Sequence, residues 1–333
     1  MAGMRVVAAP DKLRGTATAA EVAAAMGRAA KAAGWDCDEV PMADGGEGTL
    51  EALGGPNRVS TVTGPLGQPV EAAWRLHGRT AVIEMARASG LELAGGADGN
   101  DPVAASTVGT GELIAEAIDK GATRVIVGLG GSATTDGGLA ALRALHPLGR
   151  LKGVELVVAY DNRVRFLEAA TVFAPQKGAT PAQVKLLRRR LQRLAQVYLH
   201  EHGVDVLALD GAGAAGGLAG GLVAAGGRLV SGFDLVADEL ALDERLEHAD
   251  LALTAEGFLD EQSFAGKVVG GVAALAARLG VPVVAIAGQV FDGAEDRIEA
   301  VSLVDRFGEV RAREDTLACI EVATADVLAG REA

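Results

Sequence analysis

Carboxylates and lysines set among glycines recur along the whole of this 333-residue chain. They stand in APDKLRG at 9–15, MADGGEGT at 42–49, GLGGSATTDGG at 128–138, APQKGA at 174–179 and LTAEGFLDEQSFAGK at 253–267. Glycine lets backbone N–H groups approach a ligand closely and permits positive φ. Carboxylates in such surroundings suit Mg²⁺ held near phosphate. In ADGGEG the glycines between Asp44 and Glu47 let the chain turn sharply and present both carboxylates. Asp44 suits Mg²⁺ or a substrate hydroxyl; Glu47 serves a ligand or caps the following helix. Asp136 follows small and hydroxyl side chains, among which Ser132, Thr134 and Thr135 can donate to carboxylate or phosphate. A helix N-cap is its structural alternative. Lys177 is a cation between a proline turn and Gly178, with an ordinary surface lysine as the alternative. Lys267 follows Gly266 at an expected helix start, where orphan N–H groups attract anions. Glu256 and Asp260 share that strand–loop–helix crossing, and Asp11, Lys12 and Arg14 form another strand-end cluster. Phosphoryl transfer needs cations and Mg²⁺ against the moving charge and a carboxylate for the acceptor hydroxyl.

The elements that must position these groups alternate. RVVAA at 5–9, a helix over 17–33 with Thr18 as cap and Glu21 three residues on, and a strand over 36–42 make a strand–helix–strand unit. A helix over 46–53 ends at Gly54-Gly55. Between 58 and 85, VSTVTG, VEAAWRLHG and TAVIEMA are short, alternating and separated by turns, which predicts antiparallel strands. A helix over 110–120, a strand over 124–128, a helix over 137–145 and a strand over 156–161 follow. The basic run KLLRRRLQRLAQ lies in a helix over 181–202. Helical spacing there gathers Leu187, Leu191 and Leu194 on one face and leaves the arginines outside, the pattern of a surface helix and not of a nucleic-acid patch. GAGAAGGLAGGLVAAGG at 211–227 reads as a loop and helix start lining a cleft, then a helix of small residues in close contact with a neighbour. Strands over 250–254, 281–287 and 300–304 and helices over 267–279 and 314–329 complete the chain. The layout is α/β: a Rossmann-like parallel-sheet domain from both chain ends, 1–60 and 246–333, with a mixed-sheet α/β domain inserted over 61–245. The active-site cleft is expected between them.

Bulk properties remove several function classes. Hydrophobic residues make up 49% and aromatic ones 3%, so the core must be built of Ala, Val, Leu and Gly. A formal net charge of -13 argues against nucleic acid as partner. VPVVAIAG ends after one strand's length, and no apolar run reaches the roughly 20 residues that span a bilayer. Cys37 and Cys319 form no disulfide framework or zinc pattern, and MAGMRVVAAP lacks the features of a signal peptide. A cytoplasmic protein without a membrane partner is expected, and a homodimer is compatible with the sequence. There is no GxxxxGK[ST] and no GxSxG. Gly211, Gly213 and Gly216 imitate GxGxxG without an acidic residue after a second strand, and the five histidines are scattered. What remains is an anion-handling α/β enzyme, with phosphoryl transfer among its open chemistries.

Taken together, the segments resemble the bacterial glycerate kinase family, the one without a Walker loop, over essentially the full length. The resemblance rests on VVAAPDKLRGTATAAEVA, VPMADGGEGT, AVIEMARASGLEL, STVGTGELI, GLGGSATTDGG, FAPQKGAT, GAGAAGGLAGGL, EGFLDEQSFAGK and VPVVAIAG. It implies ATP-dependent phosphorylation of D-glycerate with Mg²⁺, and 2-phosphoglycerate as product. Residues carried over are Asp11, Asp44, Glu47, Asp136, Lys177, Glu256, Asp260 and Lys267. On that reading Asp136 or Asp44 orients or deprotonates the acceptor hydroxyl, and Lys177, Lys267 and Arg14 meet carboxylate or phosphate charge. Glu256 or Asp260 helps hold Mg²⁺, while Lys12, Ser132, Thr134 and Asn162 complete the substrate and phosphate contacts. The chain departs from the family pattern in having Lys12 at a Ser position, Arg14 at a Lys position, Ala255 for Gly and Phe258 for Arg; YDNRVRF at 160–166 keeps Asp161 and Asn162 but loses a Pro-Leu. A kinase of the same fold acting on another small hydroxy or sugar acid, and a non-catalytic ligand-binding protein, are the competing readings.

Overall fold

Short apolar runs rich in Val, Ile and Ala make the central strands, as in RVVA and RVIVGL, and alanine-rich amphipathic runs such as AAEVAAAMGRAAKA make helices. The structure, a computed structural model, describes residues 3–291 and 293–331. In chain order the strands are β1 (Arg5–Ala8), β2 (Asp36–Glu39), β3 (Arg58–Thr63), β4 (Pro69–His77), β5 (Thr80–Glu84) and β6 (Arg124–Leu129). They continue as β7 (Glu155–Tyr160), β8 (Arg228–Ser231), β9 (Leu251–Leu259), β10 (Val283–Val290) and β11 (Glu299–Ser302). Contacts divide the chain into two compact units. One comprises Met1–Asp44, Glu51–Leu53 and Phe233–Ala333; the other comprises Gly45–Leu50 and Gly54–Gly232.

The unit made from both chain ends holds a sheet of order β11-β10-β9-β1-β2, every neighbouring pair parallel. Counted within the sheet this is the doubly wound order 2-1-3-4-5, whose switch point lies between its first and third strands, here β1 and β9. Helix Ala19–Ala32 starts at a capping box in which Thr18 and Glu21 satisfy each other's backbone N–H groups. Its buried Val22, Ala25, Met26 and Ala30 pack with Val6, Ala8, Leu253 and Ile286 on one side of the sheet. Phe233, Val236, Leu242 and Leu246 join Val7, Val40 and Met42 on the other, so residues from 233 onward belong to this unit, against an expected start at 246.

The second unit holds a sheet of order β3-β4-β5-β6-β7-β8. β3, β4 and β5 pair antiparallel, as the alternating run between 58 and 85 predicts, and β5 to β8 pair parallel. Trp74 lies fully buried in its core, with its indole N–H donating to Ser60 at 2.9 Å. Helix Pro181–His202 has the expected bounds: Thr180 and Gln183 form a capping box, Pro181 takes the first position, and Gly203 closes the end in the left-handed region. Leu187, Leu191 and Leu194 are buried on its inner face. At the ends of this unit's chain, Gly45 lies so close to Gly232 that a Cβ on Gly45 would stand 2.7 Å from the Gly232 Cα.

Several boundaries differ from expectation. The strand expected over 36–42 ends at Glu39, ahead of Pro41. The helix expected over 46–53 is the single turn Thr49–Ala52, because residues 45–48 form a loop. β9 runs to Leu259, well past the expected 254, because β10 continues beside it as far as Val290.

Candidate active site

In the second unit the parallel strands end where the candidate residues begin. The loop after β6 carries Ser132, Thr134 and Asp136. The Asp136 carboxylate accepts from the backbone N–H of Thr107 at 3.0 Å, from the Thr107 hydroxyl at 2.8 Å and from the Gly138 N–H at 3.0 Å. Burial pushes its pKa up, and these donors oppose the rise. The helix after the loop is Leu139–Ala144, with Gly138 and not Asp136 at its cap position. Asp136 thus bonds N–H groups of Gly138 and Ala140 at the helix start, and it adds the fully buried Thr107, which itself accepts from Ala141 N–H at 3.1 Å.

Lys177 is no surface lysine, being 6% exposed. Its Nζ donates to Ser132 Oγ and to the Thr134 carbonyl, each at 2.7 Å. Burial lowers its pKa to about 7, and the Asp136 charge works the other way. Asn100 ties the pieces together, its Nδ2 donating to the carbonyls of Ala133 at 3.1 Å and Lys177 at 2.9 Å. The half-buried Asp136 and the buried Lys177, Ser132 and Thr134 therefore form one cluster. Thr134 Oγ1 and Thr135 Oγ1 lie buried in it without hydrogen-bond partners. Asn162 is engaged in its own loop, donating to Asp161 at 2.6 Å and accepting from Val164 N–H at 3.2 Å.

The glycine-rich segment at 211–227 supports this loop from beneath. It folds into a turn at Ala214–Gly217 and a helix at Leu218–Ala224, all buried but Val223. Gly216 has φ +70°, and a Cβ there would stand 1.9 Å from the Thr134 carbonyl oxygen. Its glycines thus permit backbone-to-backbone packing against the Asp136 loop, where the sequence suggested a lining role.

Glu47 is exposed, in the loop ahead of helix Thr49–Ala52. The N–H groups of Gly48 and Leu50 donate to the buried Glu84 at 2.8 and 3.0 Å, and Arg87 pairs with Glu84 at 2.9 Å. Glu84 therefore caps the start of this helix. Glu84, Thr107 and Asn100 are residues that sequence reasoning missed. The available signal was a lone carboxylate ending the apolar run TAVIE and a lone Thr before a helix.

In the first unit, the backbone beyond β1 stays beside β9: Ala9 N–H donates to Leu253 O at 2.7 Å and Asp11 N–H to Ala255 O at 2.8 Å. The buried Thr254 hydroxyl adds a bond to the Ala9 carbonyl at 2.9 Å. Asp11 and Glu256 are thereby brought together at the switch point. Burial, with Asp44 second, raises the Asp11 pKa to about 6; Lys12 and Lys267 oppose it. Burial raises Glu256 to about 7, against Ser263 and Lys267, with Asp11 and Asp260 adding to the rise. Lys267 occupies the cap position of helix Val268–Leu279. Asp260 spends Oδ1 on the N–H groups of Gln262 and Ser263, capping the short turn Glu261–Phe264. Arg14 is exposed, with its backbone passing Gly257.

Among the described residues, no group of three or more His, Cys, Asp or Glu is arranged to hold a metal unaided. Mg²⁺ commonly takes one or two carboxylates and completes its shell with water and substrate phosphate. Asp11 and Glu256 fit that demand: Glu256 Oε1 is buried with no hydrogen-bond partner, and each carboxylate raises the pKa of the other. No helix among the described residues is long and apolar enough to cross a membrane.

The family model for the glycerate kinase family matches residues 6–148 and 146–329. Glycerate 2-kinase of Escherichia coli (strain K12) is 40% identical over 329 residues, covering 87% of this chain and 86% of that protein. A glycerate kinase of Halalkalibacterium halodurans is 39% identical over 347 residues, covering 91% of each. A Salmonella typhimurium LT2 crystal structure, of a protein provisionally named glycerate kinase 2, superposes with a TM-score of 0.84 at 36% identity, covering 99% of this chain and 98% of that one. Fold and family together define the class as a transferase of kinase type. The chain belongs to the glycerate kinase family.

Proposed function

We propose that the protein transfers the γ-phosphoryl group of ATP to the 2-hydroxyl of D-glycerate, with Mg²⁺, giving 2-phosphoglycerate and ADP. The observation that carries the proposal is the Asp136–Lys177 cluster, in which burial draws the pKa values of an acid and a base toward each other. Such a pair sets a carboxylate and a cation side by side, as general acid–base chemistry on a hydroxyl requires. Asp136, held by Thr107 and Gly138, takes the hydroxyl proton. As the new O–P bond forms, the bond from phosphorus to the bridging oxygen breaks and its electron pair leaves with ADP. Lys177, fixed by Ser132 and Thr134, presents its ammonium to the substrate's negative charge. In the first unit Lys267 and Lys12 meet phosphate oxygens, and Asp11 and Glu256 hold the metal with Asp44 adjoining. When bound, Mg²⁺ neutralises charge on the nucleotide's phosphates. Asp260 shapes the turn that leads to Lys267.

Incubation with Mg-ATP and D-glycerate, followed by phosphorus NMR, tests the proposal. A 2-phosphoglycerate signal supports it. A 3-phosphoglycerate signal overturns the regiochemistry and keeps the acceptor. ATP consumption with another hydroxy acid alone overturns the acceptor. Asp136→Asn is expected to lower kcat by about 10²–10⁴-fold, the usual worth of a general base.

A further inference from the structure

We propose that Phe258 and Phe291 form a stacking platform for the base of the nucleotide, an inference that rests on the ATP-dependent reading above. In a chain whose residues are only 3% aromatic, these two rings are the only aromatic ones among the exposed large hydrophobic side chains of the described residues. Phe258 is 56% exposed and Phe291 43%, while Leu259 beside Phe258 is fully buried. Their centroids lie 6.0 Å apart with the planes inclined at 45°, which leaves ring faces open to a third aromatic group.

Their position in the sheet supplies the ligand. β1 pairs with β9 only as far as Leu253, and β11 pairs with β10 only as far as Ser302 opposite Ala287. β9 and β10 continue together to Leu259 and Val290, and Phe291 N–H adds a bond to Leu259 O at 2.9 Å. The two strands thus run on past the ends of β1 and β11, with the segment after β1 beside β9 only as far as Gly257, at the carboxyl ends of the sheet, the end where doubly wound folds bind ligands. Phe258 lies opposite Gln289, and Phe291 is its diagonal neighbour two residues on. Glu256 is two residues before Phe258 on the same strand, hence on the same face and about 7 Å away. An extended nucleotide places its base and its phosphates apart in the same way: phosphates toward Glu256 and Lys267, base over the rings. Aromatic faces accept any base by stacking, so the platform supplies affinity with weak base selectivity.

Phe258→Trp makes the contact visible, because Trp35 and Trp74 are 4% and 0% exposed and shielded from a surface ligand. Mg-ADP is expected to quench the new indole saturably, and Mg-tripolyphosphate, which has no base, to leave it bright. In the kinase assay Phe258→Ala is expected to raise the KM for ATP by about five- to a hundredfold and to leave that for D-glycerate within about twofold. Equal response to Mg-ADP and Mg-tripolyphosphate, or no response, would overturn the platform, as would an unchanged KM for ATP. If the wild type makes phosphoglycerate but the indole ignores the base, the platform fails and the reaction stands. If base-dependent quenching occurs without any phosphoglycerate, the platform stands and the reaction fails.

Discussion

Thr107 gives Asp136 two hydrogen bonds, through one backbone and one hydroxyl donor. A donor to a carboxylate favours the ionised form, so removing it raises the pKa. Thr107→Val keeps the shape and the backbone bond and deletes the hydroxyl, with its bond to Asp136 and the one it accepts from Ala141 N–H. The acid limb of the kcat–pH profile is expected to move to higher pH, and kcat at neutral pH to fall by about tenfold or more. An unmoved limb would exclude Asp136 as the titrating base. The sequence displayed Asp136 and Lys177 because glycine and proline mark their loops. It did not display Thr107, Asn100 or Glu84. Thr107 and Asn100 are single polar side chains whose partners lie 29 to 77 positions away, and the backbone N–H groups that Glu84 caps lie 34 and 36 positions before it, so no local spacing announces these roles. Asp260 adds a feature the sequence did not announce: the turn that its Oδ1 caps becomes evident only from the backbone.

At the scale of elements, periodicity was enough wherever an element is made by its own side chains. Helix Pro181–His202 carries its cap box, its proline and its closing glycine in the sequence, and its bounds follow from them. Where neighbours decide, bounds shift: β9 is long because β10 is long, and helix Thr49–Ala52 begins where Glu84 caps it. The glycine-rich turn is the extreme case, since its composition records the approach of another loop. Gly216→Ala introduces both a Cβ at φ +70° and a collision with the Thr134 carbonyl. A loss of about 1–3 kcal/mol in stability is expected from the strained conformation, measured by urea denaturation. Activity is expected to fall with it, because the displaced loop carries Ser132 and Asp136. Full activity in a destabilised protein would show that the turn is packing alone.

For the whole molecule, buried carboxylates and a buried lysine set opposing pH dependences. Asp11 and Glu256 have folded pKa values raised from 3.8 to about 6 and from 4.5 to about 7. Within those windows the folded state binds more protons than the unfolded, so stability falls as pH rises. Lys177, lowered from 10.5 to about 7, acts oppositely: the unfolded state binds more protons between those values, and stability rises with pH there. Glu256→Gln is expected to gain stability over the wild type as pH climbs through 4.5 to about 7, and to match it below. Mg²⁺ is expected to stabilise the wild type at pH above about 7 more than this variant. Parallel profiles for the two proteins in urea melts would exclude Glu256 as the strained carboxylate.

The adjacency of Gly45 and Gly232 bears on how such a chain is assembled. The polypeptide enters and leaves the second unit at neighbouring points, so to the rest of the chain that whole unit is no wider than a tight turn. Ends held together make an insert easy to accept, and they make it easy to exchange. The loop-closure cost grows only slowly with the length of what is inserted. One half of the protein can therefore change in size and sequence while the sheet that hosts it keeps its register.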